Sequence, residues 1–139
     1  MTRKHTIVPP FRDLDPALEI AERLLAQGNP WLAGVVSALP GERAAADRLN
    51  RILAGTGAAP RLAEAGNGWR LVQVTSWPGC GDLVAGASGL AELVAFGGWR
   101  RIKRCAVCAE AFCDRTAGCS RRWCAGHRPH AGFRPGGVH

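Results

Sequence analysis

The stretch that opens with Cys105-Ala-Val-Cys108 and closes with Cys124-Ala-Gly-His127 decides how the C-terminal part of this chain folds. It holds two Cys-x-x-Cys/His pairs with fifteen residues between them. Each pair fits on a tight turn, and two such turns facing one another bring three thiolates and an imidazole to the corners of a tetrahedron. That donor set suits Zn2+. A closed site of four protein ligands leaves no position for water or substrate, so its expected role is structural, the ion replacing a core that so short a segment cannot build. The expected ligands are Cys105, Cys108, Cys124 and His127, with His130 and Cys119 as alternatives for the fourth. Cys113 and Cys119 otherwise read as spectators, and Cys80, in Gly79-Cys80-Gly81, as a loop or core residue.

Charge is segregated toward the same region. The net charge is +7, yet residues 1–99 carry nine Lys/Arg and nine Asp/Glu, which cancel; residues 100–139 carry nine Lys/Arg against only Glu110 and Asp114. A basic module on an otherwise neutral chain favours an anionic partner, double-stranded DNA or an acidic protein surface. The expected nucleic-acid contacts are Arg101, Lys103 and Arg104 before the first ligand, and Arg115, Arg121, Arg122 and Arg128 within or just after the loop between ligands. The competing role for Arg121 and Arg122 is to brace that loop, with Asp114 as partner to one of them. Trp123 and Phe112 read more readily as a miniature core than as a platform for stacking bases.

Upstream, the period of the apolar residues predicts helices. Asp13–Gln27 places Leu14, Leu18, Leu24 and Leu25 on one face, and Gly28-Asn29-Pro30 stops it. Trp31–Leu39 is too short and irregular to assign. Glu42–Ala54 predicts a second helix with Leu49, Ile52 and Leu53 inward and Arg43, Asp47, Arg48 and Arg51 outward. Between Pro60 and Thr75 the period drops to two, predicting a hairpin whose strands flank Gly66-Asn67-Gly68 and pack on the helices. A helix around Asp82–Phe96 follows, with Gly86 and Gly89 counting against it. The expected class is α+β: a mostly helical domain with a hairpin over residues 1–98, a zinc module over 99–130, and a tail over 131–139.

Several of these segments resemble a known family. Arg101-Ile-Lys-Arg-Cys105, Cys108, Phe112-Cys-Asp114-Arg-Thr116 and Arg121-Arg122-Trp123-Cys124 resemble the CGNR zinc finger, and Arg48–Ala54, Pro60-Arg61-Leu62, Gly68-Trp69-Arg70-Leu71 and Leu90-Ala91-Glu92-Leu93 look like the ABATE domain that precedes it. The resemblance spans roughly residues 42–127. It implies a stress-induced transcription regulator that binds DNA through the finger. The chain departs from the pattern after Cys124: the Cys-Gly-Asn-Arg signature is absent, His127 stands where the last Cys ligand is expected, and Pro129 and Pro135 oppose the basic helix that follows in the family.

The expectation is thus a zinc-dependent DNA-binding regulator. A zinc-stapled interaction or ligand-sensing module, with a homodimer compatible, is the second reading, and a small metal-dependent enzyme the third. No nucleophile and base pair, paired carboxylates or phosphate-cradling glycine loop stands out for the enzyme reading. No apolar run reaches the length of a membrane span, so no membrane partner and a cytoplasmic location are expected.

Overall fold

A computed structural model describes residues 7–9, 11–66 and 68–127. The helices α1 (Phe11–Ala26), α2 (Pro30–Ala38) and α3 (Glu42–Gly55) are followed by a hairpin of β1 (Ala59–Ala65) and β2 (Gly68–Val74), then by α4 (Gly81–Gly97). A 3₁₀ turn, Trp99–Arg101, leads into a second, shorter hairpin of β3 (Ile102–Arg104) and β4 (Ala111–Cys113), and another 3₁₀ turn spans Ala125–His127. Helices with two small antiparallel hairpins make the fold α+β.

The helix α1 buries Phe11, Leu14, Leu18 and Ala21 at a spacing of three to four residues, the stripe its sequence predicts. It begins two residues before the expected start. The unassigned stretch at 31–39 is the helix α2: Asn29 Oδ1 accepts from the N–H groups of Trp31 and Leu32, and Pro30 occupies the first turn, where its missing N–H costs nothing. In α3, Leu49 and Ile52 are buried and Leu53 packs against the core, as expected.

The two glycines that counted against α4 are what lets it form its main contact. A Cβ on Gly86 would stand 3.2 Å from Ala21 Cα, and one on Gly89 would stand 2.9 Å from Ala17 Cβ and 3.2 Å from the Ala17 carbonyl carbon. Small residues on both helices bring the backbones of α1 and α4 into close approach, and Val84, Leu90 and Leu93 then fill the space around the crossing.

In the first hairpin Leu62 faces Leu71 and Glu64 faces Trp69. Its inner side is tied to the helices by Arg70, which reaches Glu92 on α4 at 2.6 Å and the Asp13 carbonyl at 3.2 Å. Gly66 takes φ +56 at the turn, and Asn67 lies outside the described residues. The hydrophobic core does not stop at α4. It runs from the helices into Ile102, Ala111 and Cys113 of the second hairpin, and Ile7 forms a β-bridge with Thr116. The cysteine-rich segment is therefore seated on the helices, chiefly on α1.

Candidate metal centre

The short strands β3 and β4 pair Ile102 with Cys113, Lys103 with Phe112 and Arg104 with Ala111, so the turn between them must reverse the chain immediately after Cys105. It does so with Cys105 N–H donating to the Glu110 carbonyl at 2.8 Å, Ala109 N–H donating to the Cys105 carbonyl at 2.8 Å, and Ala109 at φ +64. Val107 N–H points at Cys105 Sγ, 3.4 Å away. A second turn, closed by His127 N–H to the Cys124 carbonyl at 3.0 Å, is fastened to the first by Ala106 N–H donating to the Arg122 carbonyl at 2.9 Å. The two pairs thus face one another.

The ligand atoms of Cys105, Cys108, Cys124 and His127 all lie within 4.8 Å of one another. Two thiolates each about 2.3 Å from a tetrahedral ion stand about 3.8 Å apart. The Cys108 and Cys124 sulfurs are 3.7 Å apart, and His127 Nδ1 is 3.6 Å from Cys105 Sγ and 3.2 Å from Cys124 Sγ. Donor type and edge lengths together fit one metal ion held by four protein ligands. Cys105 and Cys124 are buried, His127 half-buried and Cys108 exposed. Phe112 and Trp123 pack beneath the sulfurs, so the aromatic pair forms the module's core.

Electrostatics favour loading by a cation. Burial opposes ionisation of Cys105, but the backbone N–H groups of Cys124, Cys108 and Val107 outweigh it and bring the thiol down to about 6. Burial and the adjoining Cys105 and Cys108 thiols push Cys124 up to about 11. One thiolate forms readily and crowding resists the next. A bound cation removes that resistance, so uptake releases protons.

Of the alternative fourth ligands, Cys119 is elsewhere: its Sγ lies 3.8 Å from the Arg100 carbonyl. His130 lies outside the described residues. Cys113 sits wholly in the core, where burial and the Glu22 carboxylate push its thiol pKa up. Cys80 is half-buried and precedes α4.

The expected DNA-contacting side chains separate into two groups. Arg101, Arg115 and Arg121 are buried. Arg101 donates through Nη1 to the carbonyls of Asp114 (3.0 Å) and Thr116 (2.7 Å), and its guanidinium lies 4.3 Å over the Phe11 ring. Arg115 meets Glu22 with both amino groups, at 3.1 and 2.8 Å, and also contacts Asp15, clamping the module to α1. Arg121 donates from Nε to the Trp123 carbonyl at 2.8 Å and covers Phe112 at 4.8 Å, the bracing role. Lys103, half-buried, places its ammonium within 2.8 Å of Asp114 Oδ2 and of the Cys119 and Arg121 carbonyls. These four are engaged within the protein because their partners come from the loop's own carbonyls and, for Arg115, from a helix some ninety residues away. Arg104 and Arg122 are exposed, as is Arg100, and Arg128 lies outside the described residues.

Asp114 organises this arrangement. Fully buried, it accepts from Lys103 Nζ, from Thr116 N–H and Oγ1, and from Arg121 N–H. From Arg121 it takes the backbone N–H, at 2.9 Å. Burial opposes its charge, but these donors prevail and hold its pKa at about 2. The clamp residues Asp15 and Glu22 carry no signal in the sequence that would have paired them with Arg115. No helix among the described residues is long and apolar enough to cross a membrane. A comparison with protein-family models finds no match for this chain, and a comparison with characterised proteins finds none at a significant level.

Proposed function

We propose that the chain is a zinc-stapled DNA-binding regulator, the role its resemblance to the CGNR zinc finger and ABATE domain implies. The observation that supports it best is the cluster of Cys105, Cys108, Cys124 and His127, a Cys₃His set with tetrahedral edges, which suits zinc in a structural role. That cluster holds Arg104 one residue before its first ligand and Arg122 two residues before its third, both exposed. The Arg122 guanidinium lies over Trp123, 5.5 Å from the ring centre, a cation–π contact that steadies the charged group of an otherwise exposed residue. Phosphate contacts from such fixed cations supply affinity, and a bidentate fork can also read a guanine edge.

Metal analysis of the purified chain should return one zinc per molecule. Fluorescence anisotropy with duplex DNA across a salt series should give an affinity that falls as salt rises, with a slope of about −2 to −3 if Arg100, Arg104 and Arg122 neutralise two or three phosphates. Weak binding that salt leaves unchanged would reject the reading.

A second reading, a protein-interaction module, has its own observation. The outer face of the first hairpin exposes Leu62, Trp69 and Leu71, at 65%, 68% and 61%. Three large apolar side chains side by side on a two-stranded sheet suit a protein contact. Sedimentation at rising concentration, with and without Leu71→Asp, separates self-association through this face from a monomer.

A further inference from the structure

Away from the metal, α2 and α3 form a small cleft of about 210 Å³ lined by Pro30, Trp31, Gly34, Arg48 and Arg51. Trp31 is 63% exposed, and neither Arg48 nor Arg51 forms an ion pair among the described residues. The Trp31 backbone is fixed, since it sits in the first turn of α2 behind Pro30 and donates its N–H to Asn29. Gly34, one turn on, has no side chain to fill the floor. A Cβ there would lie 3.5 Å from Arg48 Nη1, in contact with the side chain that crosses it. Arg48 uses that space to donate from Nη1 to the Gly34 carbonyl at 2.8 Å, which fixes the guanidinium and leaves Nη2 and Nε without a partner among the described residues. Arg51, three residues along α3, lies on the same face as Arg48, and its side chain forms no hydrogen bond among the described residues. Asp47, the acidic group beside them on α3, pairs with neither.

We infer that this cleft binds a phosphorylated nucleobase, the base on Trp31 and the phosphate on Arg48 and Arg51. An exposed indole with a fixed backbone offers a stacking surface to any base, and two planar guanidinia on one side of it complement a phosphate. The volume is below the roughly 300–1,000 Å³ of sites for drug-sized ligands and suits one planar ring, with its phosphate at the rim against the exposed guanidinia of Arg48 and Arg51. The ligand is either a free nucleotide or one nucleotide of a single strand. No residue of the cleft belongs to the metal module, so this site stands or falls independently of duplex binding there.

The test uses the full chain at low salt with two probes, adenosine monophosphate by calorimetry and a short dye-labelled oligodeoxythymidylate by anisotropy. Trp31→Ala and Arg51→Gln alter exposed side chains, and circular dichroism checks that each remains folded. Each should weaken the probe that binds by about tenfold or more, the scale of one lost stacked base, while Trp31→Phe retains most of the affinity. Saturable binding of the mononucleotide identifies a free nucleotide as ligand; binding of the oligonucleotide alone identifies a strand. The inference is overturned if neither probe binds saturably, if Trp31→Ala binds as tightly as the wild type, or if polyglutamate displaces the oligonucleotide equally from both, which would mean that charge alone is read. Duplex binding abolished by Arg104→Ala with Arg122→Ala but unchanged in Trp31→Ala bears on the metal module alone.

Discussion

Asp114 has no exposure to solvent, yet it remains ionised because four donors converge on its two oxygens. Replacing it with Asn keeps the shape, removes the charge that Lys103 faces, and turns an amide N–H₂ toward donors. Loss of a buried, hydrogen-bonded charge partner costs about 2–4 kcal/mol. Asp114→Asn should lower the urea midpoint of the metal-loaded protein accordingly, and an unchanged midpoint would remove Asp114 from its central place. The sign of the pH dependence follows from a pKa held at about 2, below the usual carboxylate range. Its contribution is complete above about pH 4 and is lost as pH falls toward 2. The gap in stability between wild type and Asp114→Asn should therefore narrow over that interval. The same residues mark what the sequence left unread. Spacing singled out Cys105, Cys108 and Cys124, with His127 ahead of His130 and Cys119 as the fourth, and these four are the residues that cluster within 4.8 Å, because a tetrahedron constrains which residues can meet. Nothing local distinguished Arg115, buried against Glu22 and Asp15, from Arg122, which faces solvent, since that difference is made by a partner distant in the chain.

At the scale of elements, α1, α3 and the first hairpin were legible because each alternates apolar and polar residues with its own period, whereas α4, nearly all apolar or glycine, was legible from its length and the Gly97-Gly98 that ends it. The helix α2 was not, because nine residues buried along Leu32, Val35 and Val36 include no charged residue against which to read a period. The strands β3 and β4, three residues each, are too short to carry a period at all. In α4 a correct propensity rule gave the wrong weight to two glycines, since glycine weakens an isolated helix but permits a close crossing. Substitution tests that exchange. Gly89→Ala gains about 1 kcal/mol of helix propensity but places a methyl 2.9 Å from Ala17 Cβ, between two backbones that cannot part without opening the core. Overpacking of that kind costs about 1–3 kcal/mol, so the net effect is expected to destabilise, and Gly86→Ala, at 3.2 Å from Ala21 Cα, should follow it more mildly. Gly55→Ala is the control. It ends α3 with nothing within 4 Å and should raise stability by about 0.5 kcal/mol. Thermal melts of the three variants decide the matter: if Gly89→Ala melts above the wild type, the crossing is looser than these distances say.

For the whole molecule, the question is how far the influence of the ion proposed for the Cys₃His cluster would extend. The metal module shares its apolar core with the helices through Ile102, Ala111 and Cys113, and it is joined to α1 by polar contacts as well, Glu22 accepting from Cys113 N–H at 2.7 Å and pairing with Arg115. Arg101 adds a third connection by lying over Phe11 at the start of α1, in a space that a side chain on Gly97 would close. Were the ion removed, the Cys105 and Cys124 turns would lose their common anchor, and with them the framework that holds Asp114, Arg115 and the buried strand β4 against the helices. Stripping the metal with a chelator should therefore lower the melting temperature read from the helical signal, in a single transition, rather than release an independent segment from an unaffected helical body. Readdition of zinc should restore it, with stability rising by about 2.7 kcal/mol when free zinc reaches a hundred times its dissociation constant. Replacing Cys108, the exposed member of the cluster, with Ser should reproduce part of the loss and make the protein less responsive to added zinc. Helices that melt at the same temperature with and without the ion would mean that the shared core and the Glu22 clamp carry no coupling, and that the module folds as a separate unit.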